Sequence, residues 1–236
     1  RQEVSQNQSV FASSSRVTAT EWPSWDDYGD GHDDGQDPGG DAGPDPIAQT
    51  FMVGPGDGSS AEGLIKTNTA GDARQAGPGR FITSVDIYFT HKDASLPVFM
   101  ELRNTVNGVP GQKVLPFGRV TKKPSEVNAD LTGATATTFT FPSPVFVQNN
   151  EEYTVLLGTN TPEYKIYIAR MGETDINGAR TISEQPHIGT MFKSHNARTW
   201  APSLTEDISF VIRAAKFETS GGTVTLNNKE LDAKKL

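Results

Sequence analysis

The chain has 236 residues, of which 34% are hydrophobic, and its mean hydropathy is −0.49. Its formal net charge of −8 gives it no basic surplus for binding nucleic acid, and no apolar run is long enough to span a membrane. The absence of cysteine excludes disulfides, thiolate metal sites and cysteine nucleophiles. Because the sequence begins with Arg1 rather than Met, we expect it to be one segment of a longer polypeptide.

Residues 1–25 are predicted to form an extended arm, because they are rich in Ser, Gln and Thr and hold few apolar anchors. The arm ends with Trp22 and Trp25, which flank Pro23. Tryptophan is a strong docking residue, so both are candidate contacts with a partner protein. Packing of the arm on a neighbouring chain and packing back on its own chain remain open alternatives.

Residues 26–46 read DDYGDGHDDGQDPGGDAGPDP and are predicted to form a solvated acidic linker. Residues 1–46 hold ten acidic and two basic side chains, a net charge of −8, so the other 190 residues are neutral overall. The spacing of Asp30, Asp34 and Gly35 is similar to the start of an EF-hand loop, but His32 and Asp41 stand where other ligands belong. Weak binding of a divalent cation in the linker is the alternative to a plain linker.

Residues 47–217 are predicted to form one β-sandwich domain, because several stretches within it alternate apolar and polar side chains with period two, which is typical of half-buried strands. Residues 54–79 are Gly-rich and are predicted to form a long irregular loop within this domain. The clearest strands cover 81–90 and 98–106, and the Asn107–Gly108 pair after the second predicts a tight turn. A weaker strand is predicted at 114–120, and Pro142 and Pro144 are predicted to end a strand that begins near Thr135. Further strands are expected at 47–53, 145–147, 153–157, 164–168 and 208–214.

Eight to ten short strands separated by turns predict an all-β fold, an antiparallel β-sandwich with jelly-roll-like connections. No window shows the spacing of an amphipathic helix, so little helix is expected. Residues 218–236 are predicted to be a C-terminal tail or the start of a further segment, because Gly221–Gly222 set them apart from the sandwich.

The sequence gives little sign of catalysis. The carboxylates Glu173, Asp175, Glu184, Glu206 and Asp207 are interpreted as solvated loop residues rather than as a hydrolytic pair. A metal held by His187, His195 and Glu184 is a weak alternative, because their spacing fits no established zinc pattern. We therefore predict a protein that is not an enzyme and has neither a metal site nor a cofactor.

Residues 163–202 are predicted to form a long polar loop that nevertheless carries large apolar side chains. Long ordered loops in compact domains are often functional, so contact with a partner protein is one expectation. The alternatives are a loop that covers an open end of the sandwich, and a saccharide platform built on Trp200 or Tyr167. The candidate contact residues are Arg170, Arg180, Met191, Phe192, Arg198 and Trp200.

Several stretches, in order, resemble a domain that recurs in large structural proteins of T-even-like contractile-tailed bacteriophages, prominently cyanophages. They include DPIAQTF (45–51), GRFITSVDIYF (79–89), ELRNTVNGVPG (101–111), VLPFGRV (114–120) and TTFTFPSPVFV (137–147). IARMGETDI (168–176), ISEQPHIGTMFKSHNARTW (182–200) and DISFVIRAAKF (207–217) continue the pattern. The resemblance covers about residues 45–217 and implies a virion component of the tail, in the baseplate or fibre-attachment region, that is assembled in the host cytoplasm.

Two functions from different classes follow from this reading. The first is an assembly module that docks onto other tail and baseplate proteins and is oligomeric within the particle. The second is a lectin-like, receptor-binding module that holds a host saccharide, which would need exposed aromatic faces beside a shallow groove. The sequence favours assembly because it shows no aromatic cluster.

Overall fold

The computed structural model describes residues 46–54, 79–176, 178, 180–183 and 189–217, together with the backbone of two strands at 4–12 and 18–20. Trp22, Trp25, the predicted acidic linker, most of the predicted Gly-rich loop and the predicted tail lie outside the described residues. No helix in the described part of the chain is long and apolar enough to cross a membrane.

The described chain is built from strands, with a short 3-10 helix at Pro124–Glu126. The first seven strands are β1 (Val4–Ala12), β2 (Thr18–Thr20), β3 (Ile47–Met52), β4 (Gly79–Ile87), β5 (Phe89–His91), β6 (Val98–Val106) and β7 (Val109–Lys122). The others are β8 (Thr137–Gln148), β9 (Glu152–Thr159), β10 (Lys165–Arg170), β11 (Met191–Lys193), β12 (Ala201–Ser203), β13 (Glu206–Ile208) and β14 (Phe210–Phe217).

These strands form three antiparallel sheets, and the prediction of an all-β sandwich is confirmed. The largest sheet has six strands in the order β12-β11-β3-β9-β6-β7, and a four-stranded sheet has the order β1-β14-β4-β8. A small sheet joins β13, β10 and β2, and β5 also pairs with β10. β1 and β2 belong to the predicted arm. β1 pairs with β14 and β2 pairs with β10, so these two segments of the arm pack on their own chain.

One continuous hydrophobic core lies between the two larger sheets, because each strand turns alternate side chains inward. On β6 the inward residues Val98, Met100 and Leu102 are fully buried, as the period-two pattern predicts. Phe139 of β8 packs against Phe89 in the same core. Burial of large apolar side chains is the dominant stabilising contribution in such a fold.

Two local predictions on these strands have different outcomes. The Asn107–Gly108 turn is confirmed, because φ is 53° at Asn107 and 76° at Gly108, as a two-residue hairpin turn requires. The prediction that Pro142 and Pro144 end a strand is wrong, because β8 runs through both. The ladder between β4 and β8 is interrupted there, and β8 is an edge strand, so neither proline removes a needed hydrogen bond.

The predicted long loop at 163–202 also needs correction. Besides β10, which the sequence pattern predicts, it contributes β11 to the six-stranded sheet through pairing with β3. β12 then pairs with β11 and forms one edge of that sheet. Both strands are three residues long, which is too short for a period-two pattern to be recognised in the sequence.

Candidate functional site

The outer face of the six-stranded sheet, which points away from the core, holds a groove of about 480 Å³. Its charged and polar lining comes from strands β6 and β7 and from the end of β9. The alternating directions of side chains on β6 explain the site, because the core takes Val98, Met100 and Leu102 and leaves the residues between them on the outer face. We call it the Arg119 groove, and its defining residues are Phe99, Glu101, Arg103, Arg119, Thr121 and Asn160.

A buried carboxylate lies at the centre of the Arg119 groove. The side chain of Glu101 is only 1% exposed and accepts hydrogen bonds from Arg103 Nε at 2.6 Å and from Arg119 Nη1 at 2.5 Å. Arg103 shares a strand face with Glu101, and Arg119 lies directly opposite Glu101 in the ladder between β6 and β7. Two arginines facing one carboxylate leave the groove with a surplus positive charge.

The aromatic ring of Phe99 holds Arg119 in place. Arg119 Cζ lies 4.5 Å from the centre of that ring, which is a cation–π arrangement. Phe99 pairs across the strands with Gly158, and a Cβ atom at Gly158 would overlap the Phe99 ring, so glycine at this position lets the ring lie against β9. Stacking and the ion pair therefore orient a guanidinium whose side chain is still 57% exposed.

A second apolar cluster lies beside the groove on the same outer face. Ala48, Leu156 and Phe192 are buried there, and Phe99 and Trp200 pack against them partly exposed. The turn before Trp200 is held by Asn196 Oδ1, which accepts the N–H groups of Arg198 at 2.9 Å and Thr199 at 2.7 Å. Trp200 therefore closes over a small apolar cluster of its own chain.

The predicted contact residues Met191 and Phe192 are not at the surface. Met191 is fully buried in the main core, and Phe192 is buried in the cluster under Trp200. Successive strand residues point to opposite faces, and both faces of β11 are covered at this point. Met191 and Phe192 therefore present almost no side-chain surface to a partner protein.

The predicted contact arginines have different surroundings. Arg170 is paired with Glu206 and Glu173, in each case at 2.8 Å, and so helps hold the fold together. The Asp175 N–H donates to the carbonyl of Arg180 in a turn, and the side chains of Arg180 and Arg198 are exposed. None of these arginines lines the Arg119 groove in the described part of the chain.

Strand β7 also presents a large aromatic residue to solvent. In the ladder between β6 and β7, Val114 pairs with Arg103 and the next paired residue, Arg119, is opposite Glu101. β7 therefore advances five residues where β6 advances two, and the extra residues of β7 bulge out of the ladder. Within this bulge Phe117 has a φ of 63° and is 62% exposed. A left-handed conformation is rare and strained for a bulky residue, and such strain is concentrated at functional sites.

The bulge is fixed by the glycine after Phe117. A Cβ atom at Gly118 would lie 2.9 Å from the carbonyl oxygen of Leu115 and 3.0 Å from that of Leu102. Gly118 thus lets β7 approach β6 closely and return to the ladder at Arg119. One irregularity therefore exposes Phe117 and brings Arg119 opposite Glu101.

Glu206 and Asp207 are not solvated loop residues, so that interpretation is wrong for both. They lie on β13 and are buried. Glu206 accepts hydrogen bonds from Ser203 and Arg170 and pairs with Lys193 at 3.0 Å. Burial alone would raise the pKa of Glu206, but the bonds from Lys193 and Arg170 together lower it.

Asp207 lies on the other side of β13 and contacts Gln49 of β3. Gln49 Nε2 donates to Asp207 Oδ1 at 3.0 Å, and Gln49 Oε1 accepts the N–H of Ile208 at 3.0 Å. Burial raises the pKa of Asp207 to about 7, although the bond from Gln49 acts in the opposite direction. The Gln49 amide joins β13 to the six-stranded sheet, so the role that we assign to Asp207 is structural.

The described residues that could support catalysis are not brought together in a common site. Glu184 and His187 lie outside the described residues, and Glu173 is paired with Arg170. Among the residues that the structure describes, no three His, Asp or Glu side chains are grouped so that they could hold a metal ion. The Arg119 groove contains no histidine, serine or cysteine in its lining.

Sequence reasoning missed the groove, although a signal for it exists. Phe99, Glu101 and Arg103 are successive members of the outward-facing set on a strongly alternating strand. An aromatic residue and two opposite charges on one strand face indicate a built surface rather than a plain solvated one. The contribution of Arg119 is not visible in this way, because the bulge shifts its register.

The sequence matches no protein-family model and no curated protein.

Proposed function

We propose that this chain is a non-catalytic docking module of a contractile phage tail, in the baseplate or fibre-attachment region, that binds neighbouring virion proteins. The observation that carries the proposal is the exposed Phe117 on the β7 bulge. The choice of a phage tail as the assembly rests on the series of motifs between residues 45 and 217 that resemble phage tail proteins. VLPFGRV, one of those motifs, contains Phe117.

An exposed phenylalanine in a strained conformation favours docking on energetic grounds. Burial of a phenylalanine side chain stabilises a complex by about 2 kcal/mol, and aromatic anchors dominate many interfaces. β7 is an edge strand that also carries Lys113, Pro116 and a bulge, which are features that discourage pairing of its backbone with another strand. The contact that Phe117 offers a partner is therefore a side-chain contact rather than the addition of a strand to the sheet.

The saccharide alternative is less well supported. Tyr167, one predicted platform residue, is buried and its hydroxyl donates to the carbonyl of Leu131 at 2.7 Å. Trp200, the other, packs against Phe192. Tyr167 therefore has no open aromatic face for a sugar ring, and Trp200 is only partly exposed, so assembly remains the preferred function.

Replacement of Phe117 by glycine separates docking from folding. Glycine adopts a φ of 63° without strain, so we expect Phe117→Gly to melt no lower than the wild-type chain. Loss of about 2 kcal/mol of interface burial should reduce incorporation of the chain into tail particles more than tenfold. The measurements are thermal unfolding of the purified chain, and quantitative mass spectrometry of particles from cells that express only the variant.

Leu131→Gly is the matched control, because Leu131 is another exposed apolar residue, at 74%, and lies outside the bulge. It should be incorporated as efficiently as the wild-type chain. Normal incorporation of a folded Phe117→Gly chain would contradict the proposal that this residue anchors a partner.

A further inference from the structure

The Arg119 groove has the charge and the shape of a receptor for one anionic group. Its lining carries two arginines and one carboxylate, and its remaining side chains are uncharged. Glu101 neutralises one of the two positive charges. The surplus charge is local, because residues 47–236 hold 19 acidic and 19 basic side chains.

Arg119 carries the surplus positive charge of the groove, and its guanidinium has N–H groups that are available to a ligand. Within the described part of the chain its ion pair uses Nη1, which leaves Nε and Nη2 without a hydrogen-bond acceptor. These two donors form the edge of the guanidinium that binds a carboxylate through two parallel hydrogen bonds. Because Phe99 and Glu101 already restrict the side chain, little conformational entropy is lost when a ligand binds.

We infer that the Arg119 groove binds a carboxylate side chain of an acidic peptide segment on a neighbouring protein, an inference that rests on the proposed docking function. A single surplus charge matches a carboxylate better than a doubly charged phosphate. Thr121 and Asn160 in the lining offer polar groups for the peptide backbone around the bound carboxylate. The groove therefore supplies charge recognition beside the apolar anchor on the same strand.

The aromatic geometry distinguishes a peptide from an acidic saccharide. The ring of Phe99 is packed against Gly158 and is covered by the guanidinium of Arg119. A sugar ring would have to displace that guanidinium in order to stack on Phe99. A carboxylate on a peptide needs only the open edge of Arg119, so the observations favour a peptide.

The test is binding of fluorescein-labelled octaglutamate to the full chain, measured by fluorescence anisotropy at 150 mM NaCl. We expect saturable binding that Arg119→Gln weakens at least tenfold, because the bidentate contact is lost. Arg119→Lys should recover only part of the affinity, because an ammonium group cannot make the two parallel bonds. Arg198→Gln is the matched control, since it removes an exposed arginine outside the groove, and it should leave binding unchanged.

Three results would overturn the inference: no saturable binding, equal binding by Arg119→Gln and wild type, or tighter binding of oligogalacturonate than of octaglutamate. Thermal unfolding of each variant checks that the groove residues remain folded. If octaglutamate fails to bind while Phe117→Gly is still lost from particles, the inference about the groove fails and the docking function stands. If octaglutamate binds while Phe117→Gly assembles normally, the groove stands and the anchor at Phe117 fails.

Discussion

Replacement of Glu101 by leucine is expected to lower the free energy of unfolding by about 3 kcal/mol. The loss of stability comes from Arg103, the ion-pair partner that remains after Glu101 is replaced. Arg103 has a side chain only 13% exposed, so without Glu101 it would be a buried charge with no counter-charge. Arg119, at 57% exposure, can turn toward solvent, so its pairing adds little to this cost.

Urea denaturation of the purified variants measures this effect. The double variant Glu101→Leu with Arg103→Leu removes both buried charges and should regain most of the stability lost in Glu101→Leu, because a buried ion pair and an apolar pair of similar size are often close in free energy. If Glu101→Leu alone unfolds at the wild-type urea concentration, Glu101 does not hold a buried pair. If the double variant is no more stable than Glu101→Leu, the cost does not come from stranding Arg103.

Asp207→Asn is expected to stabilise the protein at alkaline pH. The folded-state pKa of Asp207 is raised to about 7, against an unfolded value of about 4. The folded protein therefore holds this proton between these two pH values while the unfolded chain releases it, so stability falls as the pH rises through that window. The penalty is absent below about pH 4 and complete above about pH 7, where it reaches about 4 kcal/mol.

Unfolding measured between pH 5 and pH 9 tests this prediction, with Glu206→Gln as the neighbouring control. The advantage of Asp207→Asn over wild type should grow by about 1.4 kcal/mol per pH unit up to about pH 7 and then level off. Glu206 has a lowered pKa, so its charge stabilises the fold above its unfolded pKa, and Glu206→Gln should be less stable than wild type at pH 7. An Asp207→Asn advantage that does not change with pH would show that the Asp207 carboxyl titrates normally.

The strand pattern is the part of the fold that the sequence predicts well. Alternation on β6 reports directly which side chains enter the core, because one face is buried along most of the strand. The Asn107–Gly108 turn is predicted for an equally local reason, since few residue pairs adopt positive φ at both positions. These features depend on neighbours in the sequence and need no knowledge of the sheet order.

The Arg119 groove depends on contacts that are distant in the sequence. Glu101 and Arg119 meet only because the β7 bulge absorbs extra residues before the ladder resumes. A period-two reading carried across that bulge would assign Arg119 to the wrong register. Met191 and Phe192 are misjudged for a related reason, because pairing of β11 with β3 buries a segment too short to show a pattern.

Site-specific photo-cross-linking tests the central claim, that β7 docks this chain onto a neighbour, most directly. Benzoylphenylalanine replaces Phe117 in one chain and Leu131 in a control chain, and intact tail particles that contain each are irradiated. We predict that position 117 forms a cross-link to one defined neighbouring protein and that position 131 does not. Particles that incorporate the chain normally but yield no intermolecular cross-link from position 117 would contradict the claim.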